Sequence, residues 1–287
     1  MLNAITVEVE DGWSIFSRDL LSRDIEPTDT VVGDTERILE ILSAKNVKAT
    51  FFVVGNVAAK FPSLIKSIAN AGHELGIHGY SHKQIFLLSK DEFRNEVKRA
   101  KDTLEDLTSV EVVGHRAPAF SIAPETKWAL RVLAEEGFVY DSSIVPCKNP
   151  QYGWKDFSKD ICRIDLGDGM NIVEVPMSVM PIPMTSKGFI TGGGYLRHFP
   201  YFVSYAAIKH IQKTRPVVVY MHPYEFGKEV VDMPMRHLST VSRWRAIGRL
   251  RIGIGNRRTM PAKAQKLLSA FEFGPLRSVI EQWFGRC

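Results

Sequence analysis

The sequence predicts an α/β protein built on a parallel, barrel-like sheet, and three observations carry that expectation. Short apolar runs of strand length alternate with segments whose apolar residues recur at helical spacing, the pattern of parallel βαβ units. The units follow one another at regular intervals, as the strands of a closed sheet do. Finally, five separate apolar runs each end in a residue type used in catalysis: Glu10-Asp11, His78, Arg116, Asp141 and His222. In barrel-like α/β folds chemistry collects at the carboxyl ends of the strands.

The elements follow in order. ITVEV (5–9) reads as a strand that runs into acids. DTERILEILSA (34–44) has apolar positions at helical spacing, and KATFFVVG (48–55) is a buried strand closed by Gly55. PSLIKSIANAG (62–72) reads as a short helix stopped by Gly72, and HELGIH (73–78) as the strand that delivers His78. Ser89 and Glu92 form a capping box opening a helix to about Leu107. VEVVGHRAP (110–118) and FVYDSSI (138–144) are each strand then turn, separated by a helix from Pro124 to Gly137. From 145 to 200 the order weakens: a long loop around CKNPQYGWKDF, a strand in NIVEVPMSV, and a glycine-rich turn leading into a helix in ITGGGYLRHFPY. The glycines at 192–194 lack both the GK[ST] and the GxGxxG context of a nucleotide site.

Composition sets the outer bounds. The 287 residues are 45% hydrophobic and 24% charged, as in ordinary globular proteins. A single domain over 1–287 is expected, with a basic C-terminal extension from about 236. No apolar run approaches the roughly 20 residues of a membrane span. The first residues, MLNAITVEVEDGW, lack the basic start of a secretory signal, so the cytoplasm is the expected compartment. Cys147, Cys162 and Cys287 form no CxxC pair and no disulfide framework, which agrees with a reducing environment. Between Arg236 and Phe271 there are nine Lys/Arg and no Asp/Glu, leaving 28 basic and 32 acidic residues elsewhere, a balance of −4. That stretch suits a peripheral contact with an anionic membrane surface, or a phosphorylated substrate, unless it is only a solvated tail. No nucleic-acid-binding motif accompanies the charge, so no nucleic acid partner is expected.

The candidate chemistry starts at HGYSH (78–82). Histidines four apart point the same way when the segment winds like one helical turn. A catalytic zinc site commonly takes three protein ligands and leaves one position open. His78 and His82 supply two, and Asp11 from the first strand is the preferred third. Glu10 beside it is then the preferred base, His222 the proton donor to the leaving group, and Arg116 the residue that holds the base. Together these describe metal-assisted hydrolysis of an amide or ester. Each residue also has a plainer reading. Glu10-Asp11 can cap a turn, Arg116 can sit in a salt bridge, His222 can be a buried histidine satisfied by backbone, and Asp141 can form an Asx turn.

The motifs together resemble the NodB-homology polysaccharide deacetylases, carbohydrate esterase family 4. The resemblance runs through VEDG (9–12), KATFFVVGN (48–56), GHELGIHGYSH (72–82), GHRAPAFSI (114–122), YDSSI (140–144) and VVYMHPYEF (218–226). ITGGGYLRHFPY and FEFGPLRSVI resemble the branch associated with exopolysaccharide and surface-glycan assembly. The resemblance implies a distorted (β/α) barrel with fewer than eight strands and a divalent metal, most readily Zn2+. It implies Asp11, His78 and His82 as ligands, His222 as general acid and Arg116 as the orienting residue, with Pro118, Tyr80 and Asp141 as candidates for the sugar-binding wall.

The chain departs from the family at its first motif, where an aspartate is usual as base. Glu10 is the preferred candidate. Alternatively Glu8, one strand period earlier, is the base and Glu10 the ligand. The implied function is removal of N-acetyl groups from a sugar of a surface polysaccharide or its lipid- or nucleotide-linked precursor. Hydrolysis of a non-sugar, cyclic amide and a catalytically weak glycan-binding homologue are the competing readings.

Overall fold

The computed structural model describes residues 1–148, 153–181, 188–229, 233, 235 and 237–285. Its strands are β1 (Asn3–Val9), β2 (Thr50–Val53), β3 (Glu74–Ile77), β4 (Gly114–His115), β5 (Tyr140–Asp141), β6 (Cys162–Gly167), β7 (Met170–Glu174), β8 (Val179–Pro181), β9 (Gly188–Ile190), β10 (Val218–Met221) and β11 (Phe273–Gly274). Its helices are α1 (Gly12–Leu21), α2 (Thr30–Ala44), α3 (Gly55–Lys60), α4 (Pro62–Asn70), α5 (Lys90–Thr108), α6 (Trp128–Glu135), α7 (Gly193–His198), α8 (Tyr201–Ile211), α9 (Thr240–Ile254), α10 (Met260–Ala270) and α11 (Leu276–Phe284). The main sheet runs β10-β1-β2-β3-β4-β5-β7-β6, with β11 added beside β1. The series from β10 to β7 is parallel throughout, seven strands, and β6 returns antiparallel on β7. Between β7 and β10 the described residues close the ring through side-chain bonds and one isolated parallel bridge, Gly192 to Tyr220. Ser178 Oγ accepts from the Val218 amide and Thr191 Oγ1 donates to the Val218 carbonyl.

Strand parity places the functional groups. In β1 every residue is buried, as expected for a strand covered on both faces. Ile5, Val7 and Val9 join the layer beneath the helices, with Phe51, Val53, Ile77, Ile38 and Leu42. Ala4 belongs instead to the barrel interior, with Phe52, Tyr140, Val218 and Tyr220. Side chains two apart share a face, so Thr6 and Glu8 point inward with Ala4. Small residues make room there: a Cβ on Gly114 would lie 2.3 Å from the Tyr140 ring. The capping box at Ser89 and Glu92 is formed, and Gly72 ends its segment at φ +73°.

Two regions differ from the sequence reading. CRIDLG and MNIVE form a hairpin turned at Gly167-Asp168-Gly169, all at positive φ. The basic segment expected as an extension from about 236 returns to the barrel. β11 pairs with Asn3 and Ala4, and α11 buries Leu276 and Val279 in the interior cluster at the end opposite the site. The reason is apolar: the acid-free stretch also carries Met260, Ala264, Leu267 and Leu268, which are buried in the core. No described helix is long and apolar enough to cross a membrane.

Candidate active site

At the carboxyl ends of β1, β3, β4 and β10 four elements converge. Glu8 comes from β1 itself. Glu10 follows through a tight turn, its amide donating to the Glu8 carbonyl at 3.0 Å, and its carboxylate comes to the same side as that of Glu8. His78 follows β3, Arg116 follows β4 and His222 follows β10. His82 stands in the left-handed region, at φ 55°, which turns the HGYSH loop back so that its ring lies 5.1 Å from that of His78.

The distances define two overlapping groups. His82 Nε2 lies 2.8 Å from Glu10 Oε2, and His78 Nε2 lies 3.7 Å from the same oxygen. His222 Nε2 lies 3.0 Å from Glu8 Oε2 and 3.7 Å from Glu10 Oε1. Among the described residues, the sets able to gather around one ion are Glu10, His78, His82 and Glu8, Glu10, His222, each with its ligand atoms within 4.8 Å of one another.

The first set fits a divalent metal on its own chemistry. His78 Nδ1 donates to the Arg116 carbonyl at 2.8 Å, which fixes the tautomer and leaves Nε2 as a lone pair. That Nε2 is buried without a hydrogen-bond partner among the described residues. Two imidazoles and a carboxylate suit zinc and also other first-row divalent ions. Burial pushes the His78 imidazole down to about 4, so it is neutral at ordinary pH, the form a ligand requires.

Glu8 is held by the opposite wall. Arg116 Nη1 lies 3.2 Å from Glu8 Oε1, and the same guanidinium donates to Thr6 Oγ1, the Ser142 carbonyl and Ser142 Oγ at 2.7–2.8 Å. Burial works against the Glu8 carboxylate, but the bond from His222 and the charges of His222, His78 and Arg116 outweigh it and hold the group at about 2. His222 titrates well above its ordinary value: against burial stand Tyr224, Glu10 and the bonds to Glu225 and Glu8. The ring stacks on Tyr224, centroids 5.0 Å apart. Its Nδ1 lies 3.2 Å from Glu225 Oε2, while Arg197 holds the other Glu225 oxygen at 3.0 Å. A cavity of about 340 Å³ opens beside the cluster, lined by Glu10, Arg18, Asn56, His82 and Lys83 among others.

The structure therefore brings together Glu8, Glu10, His78, His82, Arg116 and His222, and it corrects the placement of Asp11. Adjacent residues point apart, and Asp11 faces the start of α1. Its carboxylate accepts from the amides of Ser14 and Thr28, both at 2.9 Å, and from Thr28 Oγ1. Glu10, not Asp11, faces the histidines. Asp141 is also elsewhere: it accepts from His115 Nδ1 at 2.6 Å and from the amide and hydroxyl of Ser143, wholly buried. The Tyr80 ring lies under the Arg99 guanidinium, 3.6 Å away, and supports the loop from outside. Pro118 packs against the loop at Gly79. Glu225, Arg197 and Arg18, whose Nη2 lies 3.0 Å from His82 Nδ1, were not foreseen. Glu225 had a readable signal: an acid three residues after His222, which bonds the His222 amide as in a capping box.

Comparison with known proteins bears on the family and the fold. Residues 20–137 match the family model described as polysaccharide deacetylase. Residues 142–281 match a domain of unknown function, DUF3473. His78, His82 and Arg116 fall in the first match, His222 and Glu225 in the second, although one sheet runs through both. A peptidoglycan-N-acetylglucosamine deacetylase of Bacillus cereus is 37% identical over 127 residues, covering 44% of this chain and 43% of that protein. A peptidoglycan deacetylase of Helicobacter pylori is 29% identical over 109 residues, 38% of this chain and 36% of the relative. The chain thus spans less than half the length of these curated relatives. Among solved structures, one named "probable Polysaccharide deacetylase from Pseudomonas aeruginosa PAO1" superposes with a TM-score of 0.61 at 15% identity, covering 98% of this chain and 89% of that one. A family 4 carbohydrate esterase from Streptomyces lividans, in complex with acetate, gives 0.51 at 14% identity over 96% and 91%. Both likenesses concern the fold.

Proposed function

We propose that this chain, which carries a polysaccharide deacetylase domain of the NodB/carbohydrate esterase 4 type, is a metal-dependent hydrolase that removes N-acetyl groups from an amino sugar. The observation that carries the reading is the convergence of Glu10, His78 and His82 around the unpartnered Nε2 of His78, with Glu8 joined to both Arg116 and His222. The substrate proposed is a surface polysaccharide or its lipid- or nucleotide-linked precursor, with peptidoglycan, named for the relatives, as the competing polymer. A reducing, cytoplasmic setting is proposed with it, supported by the free thiols of Cys147 and Cys162.

Glu10, His78 and His82 would hold the metal, with zinc the proposed ion. When bound, the ion would polarise the acetyl carbonyl and lower the pKa of water. Glu8, ionised by its cationic neighbours, takes a proton from the attacking water. Arg116 keeps that carboxylate oriented and charged. His222, protonated and turned by Glu225, gives its proton to the departing amine nitrogen, so the leaving group departs neutral. The sugar enters from the cavity beside Arg18 and His82.

The direct test is acetate release from N-acetylated oligosaccharides, peptidoglycan fragments and lipid- or nucleotide-linked amino sugars, before and after chelation and zinc restoration. Release that stops on chelation and returns with metal supports the reading, and the preferred substrate separates the polymers. No release from any of these substrates by protein with stoichiometric metal would overturn it.

A further inference from the structure

Helix α9 carries apolar residues on two faces. Ala246 is buried, and Ile247, Leu250, Gly253 and Ile254 are partly buried. This face lies on α1, where a Cβ at Gly253 would come within 2.9 Å of the Phe16 ring. The other face is open. Val241, Trp244 and Ile252 are 62%, 67% and 66% exposed. At 100° per residue these three and Gly248 form one stripe. Arg251 borders it on one side, Arg245 and Arg249 on the other.

None of these three guanidinium groups has a hydrogen bond or ion pair among the described residues, and the sequence places no acid between 236 and 271. An exposed Trp–Val–Ile stripe inside a border of unneutralised arginines leaves both parts unsatisfied in water. One kind of partner satisfies both. An anionic lipid surface accepts the apolar stripe at its headgroup boundary, while the arginine stems extend along it to place their charges among the phosphates. A glycan offers the arginines anions but gives isoleucine and valine nothing to bury against.

We propose that the outer face of α9 docks onto an anionic lipid surface and holds the active-site mouth beside it. The second half of the statement follows from contacts. Gly253 meets Phe16, Phe16 packs edge-on against Tyr224 at 5.3 Å, and Tyr224 stacks on His222. α1, the seat of α9, begins directly after Glu10 and Asp11. A lipid-borne glycan would then be presented at the cavity. This consequence rests on the deacetylase reading, whereas the docking does not.

The test needs no turnover. The full chain is sedimented with phosphatidylcholine vesicles, alone or containing phosphatidylglycerol. Tryptophan quenching by brominated acyl chains reports insertion. Binding is expected only with phosphatidylglycerol, and it should fall steeply between 0.1 M and 1 M salt as the Debye length shrinks from about 10 Å to about 3 Å. R245Q/R249Q/R251Q should weaken it by about 10²-fold. V241S/W244S/I252S should weaken it at least about tenfold and remove the quenching. Both triple variants should keep the wild-type circular dichroism spectrum and thermal midpoint, which shows that they fold. The proposal is overturned if the wild type ignores phosphatidylglycerol at low salt, or if the serine variant binds as well as the wild type. It is equally overturned if the wild type self-associates in solution and the serine variant does not, because the stripe then meets a second copy.

Discussion

Glu8 and Glu174 are both glutamates buried in one sheet, and their carboxyls are shifted in opposite directions. Glu8, on β1, faces Arg116 and His222 and is held at about 2. Glu174, at the end of β7, is pushed well above the carboxylate range by burial and then by the Asp141 carboxylate beside it. Burial alone raises both. The sign of the neighbours decides the outcome. The surrounding histidines teach the same lesson. His78 and His115 each have a buried Nε2 without a hydrogen-bond partner among the described residues. The His78 nitrogen faces Glu8 and Glu10, whereas the His115 ring lies between Phe93 and Phe138. An orphan lone pair marks a site only where anionic groups from other strands face it beside an opening.

The largest effect should come from breaking the ionised half of this comparison. Glu8→Gln keeps the shape and removes the charge that accepts the proton. It should lower turnover by about 10²–10⁴-fold while one metal per chain remains by elemental analysis. Glu10→Gln should lose the metal. The reverse pattern, metal lost from Glu8→Gln and kept by Glu10→Gln, would exchange the two roles.

A smaller effect separates burial from charge. His73 is buried against Phe51, and its Nδ1 accepts the Ala49 amide at 3.2 Å, which needs the neutral ring. Burial, then the Lys48 charge, lowers it from 6.5 to about 4. Because the folded pKa is depressed, this contribution is complete above pH 6.5 and is lost as pH falls toward 4. The slope approaches at most about 1.4 kcal/mol per pH unit. Urea denaturation across that window should show the decline, and His73→Gln should flatten it.

Asp11 sharpens the contrast from the structural side. Its carboxylate caps α1 and ties down Thr28, so Asp11→Ala should cost about 0.5–2 kcal/mol of stability. Metal stoichiometry should not change. Loss of metal without loss of stability would return Asp11 to the ligand set.

These tests fall where the sequence was readable in unequal measure. His78, Arg116 and His222 were legible because each stands just after an apolar strand, where an α/β barrel exposes its interior, and His82 because it lies four residues after His78. Placing Glu8 and Glu10 needed parity along β1 and just past it: residues two apart share a side, so Glu10 rather than Asp11 faces the histidines. Asp141 and Tyr80 carried the right local pattern, but their partners, His115 and Arg99, are 26 and 19 positions away in the sequence. No periodicity reports such contacts. The return of β11 to β1 is more distant still, because it joins the two ends of the described chain.

The last prediction is the smallest, and it tests the protonated half of the comparison. Glu174 Oε1 accepts the Ile144 amide at 2.9 Å, and its other oxygen is wholly buried. With the carboxyl protonated, that oxygen presents a hydrogen toward Asp141. Glutamine has the same shape, one carbonyl oxygen for Ile144 and one N–H for Asp141, so Glu174→Gln reproduces the native pattern without a titrating proton. It should leave turnover unchanged and, below about pH 4.5, where the carboxyl is protonated folded and unfolded alike, shift stability by less than about 1 kcal/mol. The pH dependence gives the sign. Since the folded pKa is raised, native Glu174 favours the fold at low pH, and that contribution is lost as pH rises through the folded value. The glutamine variant should therefore gain on the wild type as pH rises above about 4.5, until the folded carboxyl itself ionises. If Glu174→Gln instead unfolds the protein at neutral pH, the buried carboxyl is ionised. The two glutamates would then be alike in charge, and Asp141 would have to carry the proton between them.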